Sequence, residues 1–466
     1  MTLILVMLIM ISQLSLSNAC AQELPVVPDS EQSRLEQAEK RIAELEEKID
    51  KLAKPANPGK KEETSPDKSS KPANWESSYN QGFLIRPKDP AANPYEIKIN
   101  GRTQFRHTSF TPDDKSWTDQ TLTTREIVPR NDFEIERGRL MFEGYFIEPE
   151  LQFFINIDSD TDDNHTLVFH DFWVSYEFTE SLEVFMGKAF IPGSRDWLNG
   201  AARMRMSDRS MATTFFRPDR TLGIWAIYEP IENLFYRVMI GNGYNTSDLR
   251  PDEIDNEFVY SASSWINLGD YGLGYSDLEC HTTPVAQLGH SLTFAAAAGR
   301  DQLGNPLQEE NSFRLSDGTR LTANGALAPG VTVDQLEVYM YSVDAAFKYL
   351  GCSFNSEYFF RWIDDLSGNG PLPITGYFEH GFYAEGGFFI LPKKVELSAR
   401  VSKIFGAYGD AEEYALGINY FIDSTHNWKF TIDACLLEHS PVNNTGINHR
   451  AGDDGLLIRS QLQAAF

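Results

Sequence analysis

From Trp75 onward, hydrophobic and polar side chains alternate with a period of two, in runs of roughly ten residues. In Ile97–Arg106 the even positions are polar and most of the odd positions are apolar. Leu151–Asp158, Val395–Ser402 and Tyr414–Tyr420 alternate in the same way. Because successive side chains of a β-strand point to opposite faces, each run predicts a strand with one apolar and one polar face.

The links between these runs are of two kinds. Tight links such as Glu148–Glu150 alternate with long loops such as 107–131, 191–221 and 301–334. Short turns at one end and long loops at the other are typical of outer-membrane barrels, in which one face of every strand meets lipid. A soluble β-sandwich also alternates, but its connections are usually more even in length. The pattern therefore predicts an all-β fold, a transmembrane antiparallel β-barrel over residues 75–466.

The last run ends the sequence on an aromatic residue. Ile458, Leu462 and Phe466 share one face, and polar side chains occupy the other. A terminal aromatic residue on an amphipathic strand resembles the signal that the barrel assembly machinery of the outer membrane reads. We therefore expect that machinery as a partner through Phe466, with outer-membrane lipid around the barrel.

The first residues predict export. Leu3–Ile11 form an apolar segment, and Ala19-Cys20-Ala21 gives the small-x-small pattern of a cleavage site, so residues 1–21 read as a signal peptide. Cys20 also allows a lipoprotein interpretation, although Ser17 stands where that motif prefers Leu. The expected location is the cell outer membrane, with the N-terminal segment in the periplasm.

Residues 22–52 predict a short self-associating coiled coil, because apolar residues recur there in steps of three and four. These residues are Leu35, Ala38, Ile42, Leu45, Ile49 and Leu52. A marginal, solvated helix is the alternative interpretation, since so short a helix is barely stable alone in water. Residues 53–74 are rich in Lys, Pro and Ser and predict a flexible linker.

Composition adds two limits. The chain contains no internal apolar stretch long enough for a membrane-spanning helix, which needs about 18 residues or more. Its formal charge is −26, and residues 75–466 hold 55 acidic and 31 basic side chains, or −24. Such acidity argues against nucleic-acid binding, which needs a basic surface. Beyond Cys20 three cysteines remain, an odd number that implies no disulfide framework.

Several stretches, taken together and in order, resemble the phosphate-selective porin O and P family over about residues 75–466. They are Gly82-Phe83-Leu84 with Ile97–Phe105, Phe133–Leu140, Asp171–Phe178, Leu182–Lys188, Arg217–Gly223, Phe382–Phe389, Leu391–Leu397 and the final two strands. The resemblance implies about 16 antiparallel strands, assembly as a homotrimer, and a third loop folded into the lumen. It also implies passive diffusion of small solutes.

One position departs from the family pattern. The family usually carries Gly-Gln-Phe-Lys before a Pro at the end of the strand that enters the third loop. Here the run is Gly187-Lys188-Ala189-Phe190-Ile191-Pro192, so Phe190 stands where Lys is expected. This substitution weakens the expectation of selectivity for phosphate in particular.

Residues 188–220 reverse the charge of the acidic barrel segment. They contain seven basic and three acidic side chains, a net charge of +4. Rings of basic side chains at a narrow place favour anions, and planar guanidiniums suit oxyanions. A solvated basic loop paired with neighbouring acids is the alternative. The candidate residues from this segment are Lys188, Arg203, Arg205 and Arg209.

The first two predicted strands add further candidates. Lys98, Arg102 and Arg106 share the polar face of one strand, and Arg137 and Arg139 share a face of the next. A basic residue on the lipid face costs about 2–4 kcal/mol at the membrane midplane, so these side chains are expected to point inward. They either contact the permeating anion or pair with acids that brace the wall.

The function predicted is that of a porin with a preference for anions such as phosphate. A general or cation-tolerant pore, a structural envelope tether with a blocked lumen, and a barrel hydrolase remain alternatives. We expect no enzyme activity, since HExxH, GxSxG, P-loop and CxxC motifs are absent, and no cofactor or metal. Two acidic clusters, 158–163 and 252–257, could bind Ca²⁺ but are more often simply solvated.

Overall fold

The computed structural model describes residues 74–161, 166–244, 246, 250, 252–297, 313–443 and 449–466. The predicted signal peptide, coiled coil and all but the last residue of the linker lie outside this part of the chain. The described strands and helices are β1 (Trp75–Tyr79), β2 (Phe83–Pro87), β3 (Tyr95–Pro112), β4 (Ser116–Thr118), β5 (Thr124–Glu126), β6 (Arg130–Phe146), β7 (Glu148–Ser159), β8 (Val168–Thr179), β9 (Leu182–Phe190), α1 (Arg195–Leu198), α2 (Met211–Phe216), β10 (Arg220–Ile231), β11 (Leu234–Gly241), β12 (Val259–Leu268), β13 (Val285–Ala297), β14 (Val333–Tyr349), β15 (Cys352–Gly368), β16 (Tyr377–Leu391), β17 (Val395–Phe405), β18 (Ala411–Phe421), β19 (Trp428–Glu438) and β20 (Gly455–Ala465).

Sixteen of these strands, β3 and β6–β20, form a closed antiparallel barrel. Each strand pairs with the next, and the ring closes where β20 pairs with β3, from Gly455 opposite Pro112 to Ala465 opposite Arg102. The remaining strands form two hairpins. β1–β2 extends the sheet beside β3, with Phe83 opposite Ile99, and β4–β5 belongs to the loop between β3 and β6.

The alternation predicted from the sequence gives the barrel its two surfaces. In β15, the side chains of Asn355, Glu357 and Arg361 are buried in the lumen, whereas Phe354 and Trp362 are about half exposed on the outside. An apolar outer face meets lipid without leaving polar side chains unsolvated there. Among the described residues, no helix is both long and apolar enough to cross a membrane.

Most of the strand links separate by length. At one end of the barrel the links are short, as at Leu350–Gly351 between β14 and β15. The link between β12 and β13 is on this same end but spans residues 269–284, and it folds inward; we call it the inner turn. Tyr271 and Tyr275 of the inner turn are each only 4% exposed. The sequence pattern did not predict this element.

Candidate functional site

The third loop, residues 191–219 between β9 and β10, folds into the lumen, and most of it is buried. It contains α1, α2 and, between them, a 3-10 helix at Ala201–Arg203, and both α-helices begin at serine caps. Ser194 Oγ accepts a hydrogen bond from the Trp197 amide at 3.2 Å, and Ser210 Oγ accepts one from the Thr213 amide at 3.0 Å. An inward loop narrows the lumen, so the candidate site consists of this loop and the wall around it.

Asp208 is the main ionic anchor of the third loop. Its Oδ2 lies 2.7 Å from Arg106 Nη1 and 3.1 Å from Arg459 Nη1, and its Oδ1 lies 2.8 Å from Arg137 Nη2. Burial alone would raise the pKa of Asp208, but the three guanidiniums outweigh burial and hold that pKa well below its usual range. Arg106 and Arg459 are fully buried, so they brace the loop.

Arg205 anchors the same loop to strands β16 and β17. Its Nη1 donates to Glu385 Oε1 at 2.9 Å, and its Nε donates to Glu396 Oε1 at 3.2 Å. Gly387 leaves the space for this contact, because a Cβ at that position would lie 2.6 Å from Arg205 Nε. Arg205 is 1% exposed, and its charge is balanced by the two carboxylates.

Charged wall side chains also satisfy backbone groups of the irregular loop. Lys429 Nζ donates to the Met204 carbonyl oxygen at 2.6 Å, and Asp433 Oδ2 accepts from the Ser207 amide at 2.7 Å. Buried backbone groups outside regular structure need such partners. The third loop is therefore fixed against the wall formed by β15–β20.

A cavity of about 860 Å³, the main cavity, lies on the other side of the loop, against β3 and β6–β11. Its lining carries eight guanidinium or ammonium groups and five carboxylates, a net formal charge of +3. The cationic residues are Arg102, Arg137, Arg139, Lys188, Arg209, Arg217, Arg220 and Arg237. The acidic residues are Glu136, Asp158, Asp160, Asp171 and Asp219. A confined lining with an excess of cations attracts anions.

The lining arginines differ in how far acids neutralise them. Arg139 Nη2 lies 3.0 Å from Asp158, and Arg220 Nε lies 2.9 Å from Asp171. Within the described ranges, Arg102 and Arg237 have no carboxylate at ion-pair distance, and the Nε of each is buried without a hydrogen-bond partner there. Among the described residues Arg209 also has no carboxylate at that distance, but it donates to three backbone carbonyl oxygens. Within this part of the chain, the charges of Arg102 and Arg237 are compensated neither by a carboxylate nor by a hydrogen bond at Nε.

Two β-bulges turn additional polar side chains into the main cavity. The register of β3 against β6 shifts so that Glu136 is skipped, and both Glu136 and Arg137 are buried on the lumen side. The register of β7 against β8 skips His170, and both His170 and Asp171 line the cavity. A bulge breaks the strict alternation of a strand and places two consecutive side chains on one face.

Aromatic rings hold several guanidiniums in place. The Cζ of Arg217 lies 3.7 Å from the ring centroid of Trp197, and the Cζ of Arg209 lies 4.4 Å from it. The Cζ of Arg220 lies 3.6 Å from the ring centroid of Phe190. Burial lowers the pKa of Arg209 to about 10, so this group remains cationic at neutral pH. Stacking occupies the face of a guanidinium, so the N–H groups on its edges can donate hydrogen bonds. The Nε and Nη2 of Arg209 already donate to backbone carbonyl oxygens of the third loop.

Comparison with known proteins agrees with this geometry. The model of the family described as phosphate-selective porin O and P matches residues 116–466, most of the chain. The chain belongs to this family. It is an outer-membrane porin with a transmembrane β-barrel. No curated protein sequence matches the chain at a significant level.

Solved structures share the fold of this porin at low sequence identity. OmpT of Vibrio cholerae, in vitro folded and in trimer form, aligns with a TM-score of 0.51 and 11% identity, covering 80% of this chain and 99% of that chain. OmpF of Salmonella typhi in complex with daunomycin aligns with a TM-score of 0.50 and 10% identity, covering 84% of this chain and 100% of that chain. At such identities the likeness concerns the fold alone.

The nine predicted pore residues occupy different places in the porin. Arg106 and Arg205 are buried in the ion pairs that hold the third loop. Arg203 lines a smaller cavity beside the inner turn, and Lys98 lies outside both cavities with its Nζ 3.2 Å from Glu143. The other five line the main cavity: Arg102, Arg137, Arg139, Lys188 and Arg209. A role of any of them in anion passage remains a prediction.

Three cationic residues of the lining were missed as individual sites. Arg217 and Arg220 belong to the basic segment, but nothing local distinguished them from its other arginines. Arg237 stands alone between Tyr236 and Val238 in an otherwise apolar strand. A lone basic residue on a membrane strand has to face the lumen, and this signal could have identified Arg237.

One group of described side chains has the geometry of a metal site. Donor atoms of Asp277, Glu279 and His281 on the inner turn lie within 4.8 Å of one another. Here, however, Asp277 Oδ1 is 2.5 Å from His281 Nδ1, and Asp277 Oδ2 accepts from the Gly351 amide at 2.7 Å. These contacts fix the turn to the β14–β15 link. In the acidic cluster at residues 158–163, Asp162 and Asp163 lie outside the described residues.

Proposed function

We propose that this porin conducts small solutes by passive diffusion through the main cavity, with a preference for anions such as phosphate, and that it catalyses no reaction. The observation that supports this proposal most strongly is the lining charge of +3 inside a barrel segment of −24. The local field at a narrow place decides which ion passes, since distant surface charges are screened by salt.

The arrangement of the arginines supports phosphate as a solute. Stacked guanidiniums present fixed N–H donors, and a tetrahedral oxyanion offers acceptors that match them. Phe190 replaces the Lys that the family pattern expects, but its ring carries the guanidinium of Arg220. A cation is thus supplied to that place by the neighbouring strand.

A general or cation-tolerant porin is the second candidate. The five carboxylates of the lining and the acidity of the whole barrel segment favour it. The two candidates differ in the sign of the reversal potential under a salt gradient, because that sign reports which ion carries more current.

The test is the reversal potential of the purified porin in a planar bilayer under a KCl gradient, repeated with phosphate added. We expect a chloride-selective potential and block of the chloride current by phosphate. Arg102→Gln and Arg237→Gln should each lower the ratio of anion to cation permeability by about fivefold, since one charge in a confined site contributes about 1 kcal/mol.

Arg86→Gln is the matched control. Arg86 lies on the exposed β1–β2 hairpin, its Nε 2.7 Å from Glu76, and it contacts neither cavity. Its substitution should leave the permeability ratio unchanged. A cation-selective potential of the wild-type porin would reject the anion preference and keep the channel.

Assembly completes the proposal. The predicted coiled coil and the trimer form of OmpT support a homotrimer whose N-terminal segment lies in the periplasm. The Phe466 amide donates to the Gly101 carbonyl at 2.9 Å beside the β20–β3 junction, a position consistent with recognition by the barrel assembly machinery. Deleting residues 22–74 should leave the conductance of the porin intact. A protein that acts only as an envelope tether would instead show no conductance before or after the deletion, and the deletion would cause an envelope defect.

A further inference from the structure

The inner turn is held firmly inside the lumen. Lys348 Nζ donates to the carbonyl oxygens of Tyr271 at 3.1 Å and Leu273 at 3.3 Å. Ser276 Oγ donates to Glu396 Oε2 at 2.8 Å. Each of these contacts satisfies a buried polar group and fixes one segment of the turn to the wall. The inner turn is therefore a fixed structural element inside the lumen.

The inner turn also contacts the third loop directly. Tyr275 Oη donates to Asp196 Oδ1 at 2.9 Å, and Arg205 Nη2 donates to the Tyr275 carbonyl oxygen at 3.0 Å. Arg205 is the residue that anchors the third loop to Glu385 and Glu396. One buried guanidinium thus fixes both inward elements relative to each other.

A second cavity of about 340 Å³ lies between these two elements and the wall of β10–β14. Gly200 and Arg237 line both this cavity and the main cavity, so the two spaces adjoin. A solute that leaves the main cavity on the side of Arg237 meets the second cavity next. Its volume falls in the range of small-molecule sites, about 300–1,000 Å³.

The lining of the second cavity combines few charges with apolar side chains. Its cations are Arg195, Arg203 and Arg237, and its acid is Asp344, which lies 2.6 Å from Arg195 Nε. The apolar and aromatic members are Leu198, Ile227, Trp265, Tyr271, Leu273 and Tyr275. In the main cavity, by comparison, charged groups predominate.

Trp265 gives this lining a flat apolar wall. Its ring stacks on Phe235 with centroids 5.1 Å apart and an interplanar angle of 14°. Such a supported ring offers one face to a planar group, while Arg237 and Arg203 can receive an anionic group. Inorganic phosphate uses only the cations, because it has no apolar surface to bury.

We propose that the second cavity is a binding site for small organic anions that carry a flat apolar group, and that the porin binds these more tightly than inorganic anions of equal charge. The inference rests on the proposed anion passage and specifies its solute class. The inner turn, by closing one side of this cavity, is the element that creates the preference.

Phenyl phosphate and inorganic phosphate are the matched probes when both are compared at a pH high enough to make each a dianion, because they then share the charge and the phosphoryl group and differ in the ring. In the planar bilayer, phenyl phosphate should block the chloride current of the wild-type porin at about tenfold lower concentration, as expected for one well-placed aromatic contact. Trp265→Ala should bring the two half-blocking concentrations together. Leu273→Ser should bring the ratio of the two half-blocking concentrations closer to one. The substitution should not disturb folding, because the Leu273 side chain is 62% exposed.

Trp428→Ala provides the control, because Trp428 is on the outer face of β19 and 46% exposed; it should leave the ratio at the wild-type value. Equal half-blocking concentrations in an anion-selective wild-type channel would overturn the inference, as would a ratio unchanged by both Trp265→Ala and Leu273→Ser. A cation-selective reversal potential would instead overturn the proposed function, so the two failures are distinguishable.

Discussion

The two sides of the third loop use the same kinds of residue in opposite ways. Toward β15–β20, buried arginines and carboxylates pair closely, as in Arg205 with Glu385 and Glu396. Toward β6–β11, cations outnumber acids, and Arg102 and Arg237 meet no carboxylate within the described ranges. The packed side holds the loop, and the open side keeps positive charge for a solute.

This contrast shows that a basic residue facing the lumen has no fixed role. A paired, buried guanidinium contributes position, since its field is cancelled within a few ångströms. A guanidinium without a carboxylate contributes field. The number of acids within reach decides between the two, and that number depends on tertiary structure.

The largest effect is expected at Asp208, whose three arginines join the packed side of the loop to β3 and β6. Asp208→Asn leaves Arg106, Arg137 and Arg459 without their shared carboxylate, and breaking a buried ion pair costs about 3–5 kcal/mol. We expect a lower free energy of unfolding in urea titrations and a higher single-channel conductance, because the loop loses its anchor. Asp252→Asn, at an exposed loop acid 3.6 Å from Arg250, should change neither quantity.

Acid should reproduce part of that effect. The folded-state pKa of Asp208 is lowered, so its contribution to stability is complete above the usual carboxyl pKa of about 4 and is lost as the pH falls through the lowered value. The difference in unfolding free energy between wild type and Asp208→Asn should therefore be constant at neutral pH and shrink below about pH 4. A difference that instead shrinks between pH 7 and 5 would contradict this assignment.

The smallest effect is expected at Lys98. It belongs to neither side of the loop, and its ion pair with Glu143 is partly exposed, at 28% and 41%. Such a pair contributes less than about 1 kcal/mol. Lys98→Gln should thus leave both the unfolding free energy and the permeability ratio near wild type; a clear loss of anion selectivity would extend the site to the start of β3.

The sequence was sufficient to predict the barrel and the face of the wall to which most side chains point. Period-two alternation over β3 correctly predicted that Arg102 and Arg106 face inward, because a transmembrane strand must separate apolar from polar side chains. It could not reveal that Arg106 would pair with Asp208, a residue of a distant loop.

Two features could not be predicted from the alternation of hydrophobic and polar residues, and the reasons are physical. Strict alternation places Glu136 and Arg137 on opposite faces, and only the pairing of β3 with β6 produces the bulge that puts both inside. The inner turn has the Gly-rich, polar composition of an exposed link, and its burial depends on distant partners such as Lys348 and Glu396. The residues of the turn itself do not indicate such long-range contacts.

The surroundings of Asp208 also link the anchoring of the third loop to closure of the barrel. Its three arginines come from β3, β6 and β20, so they are brought together only where the two ends of the barrel segment meet. Before β20 has paired with β3, the pocket that receives this carboxylate lacks Arg459. The third loop can therefore make its full set of anchoring contacts only once the ring has closed.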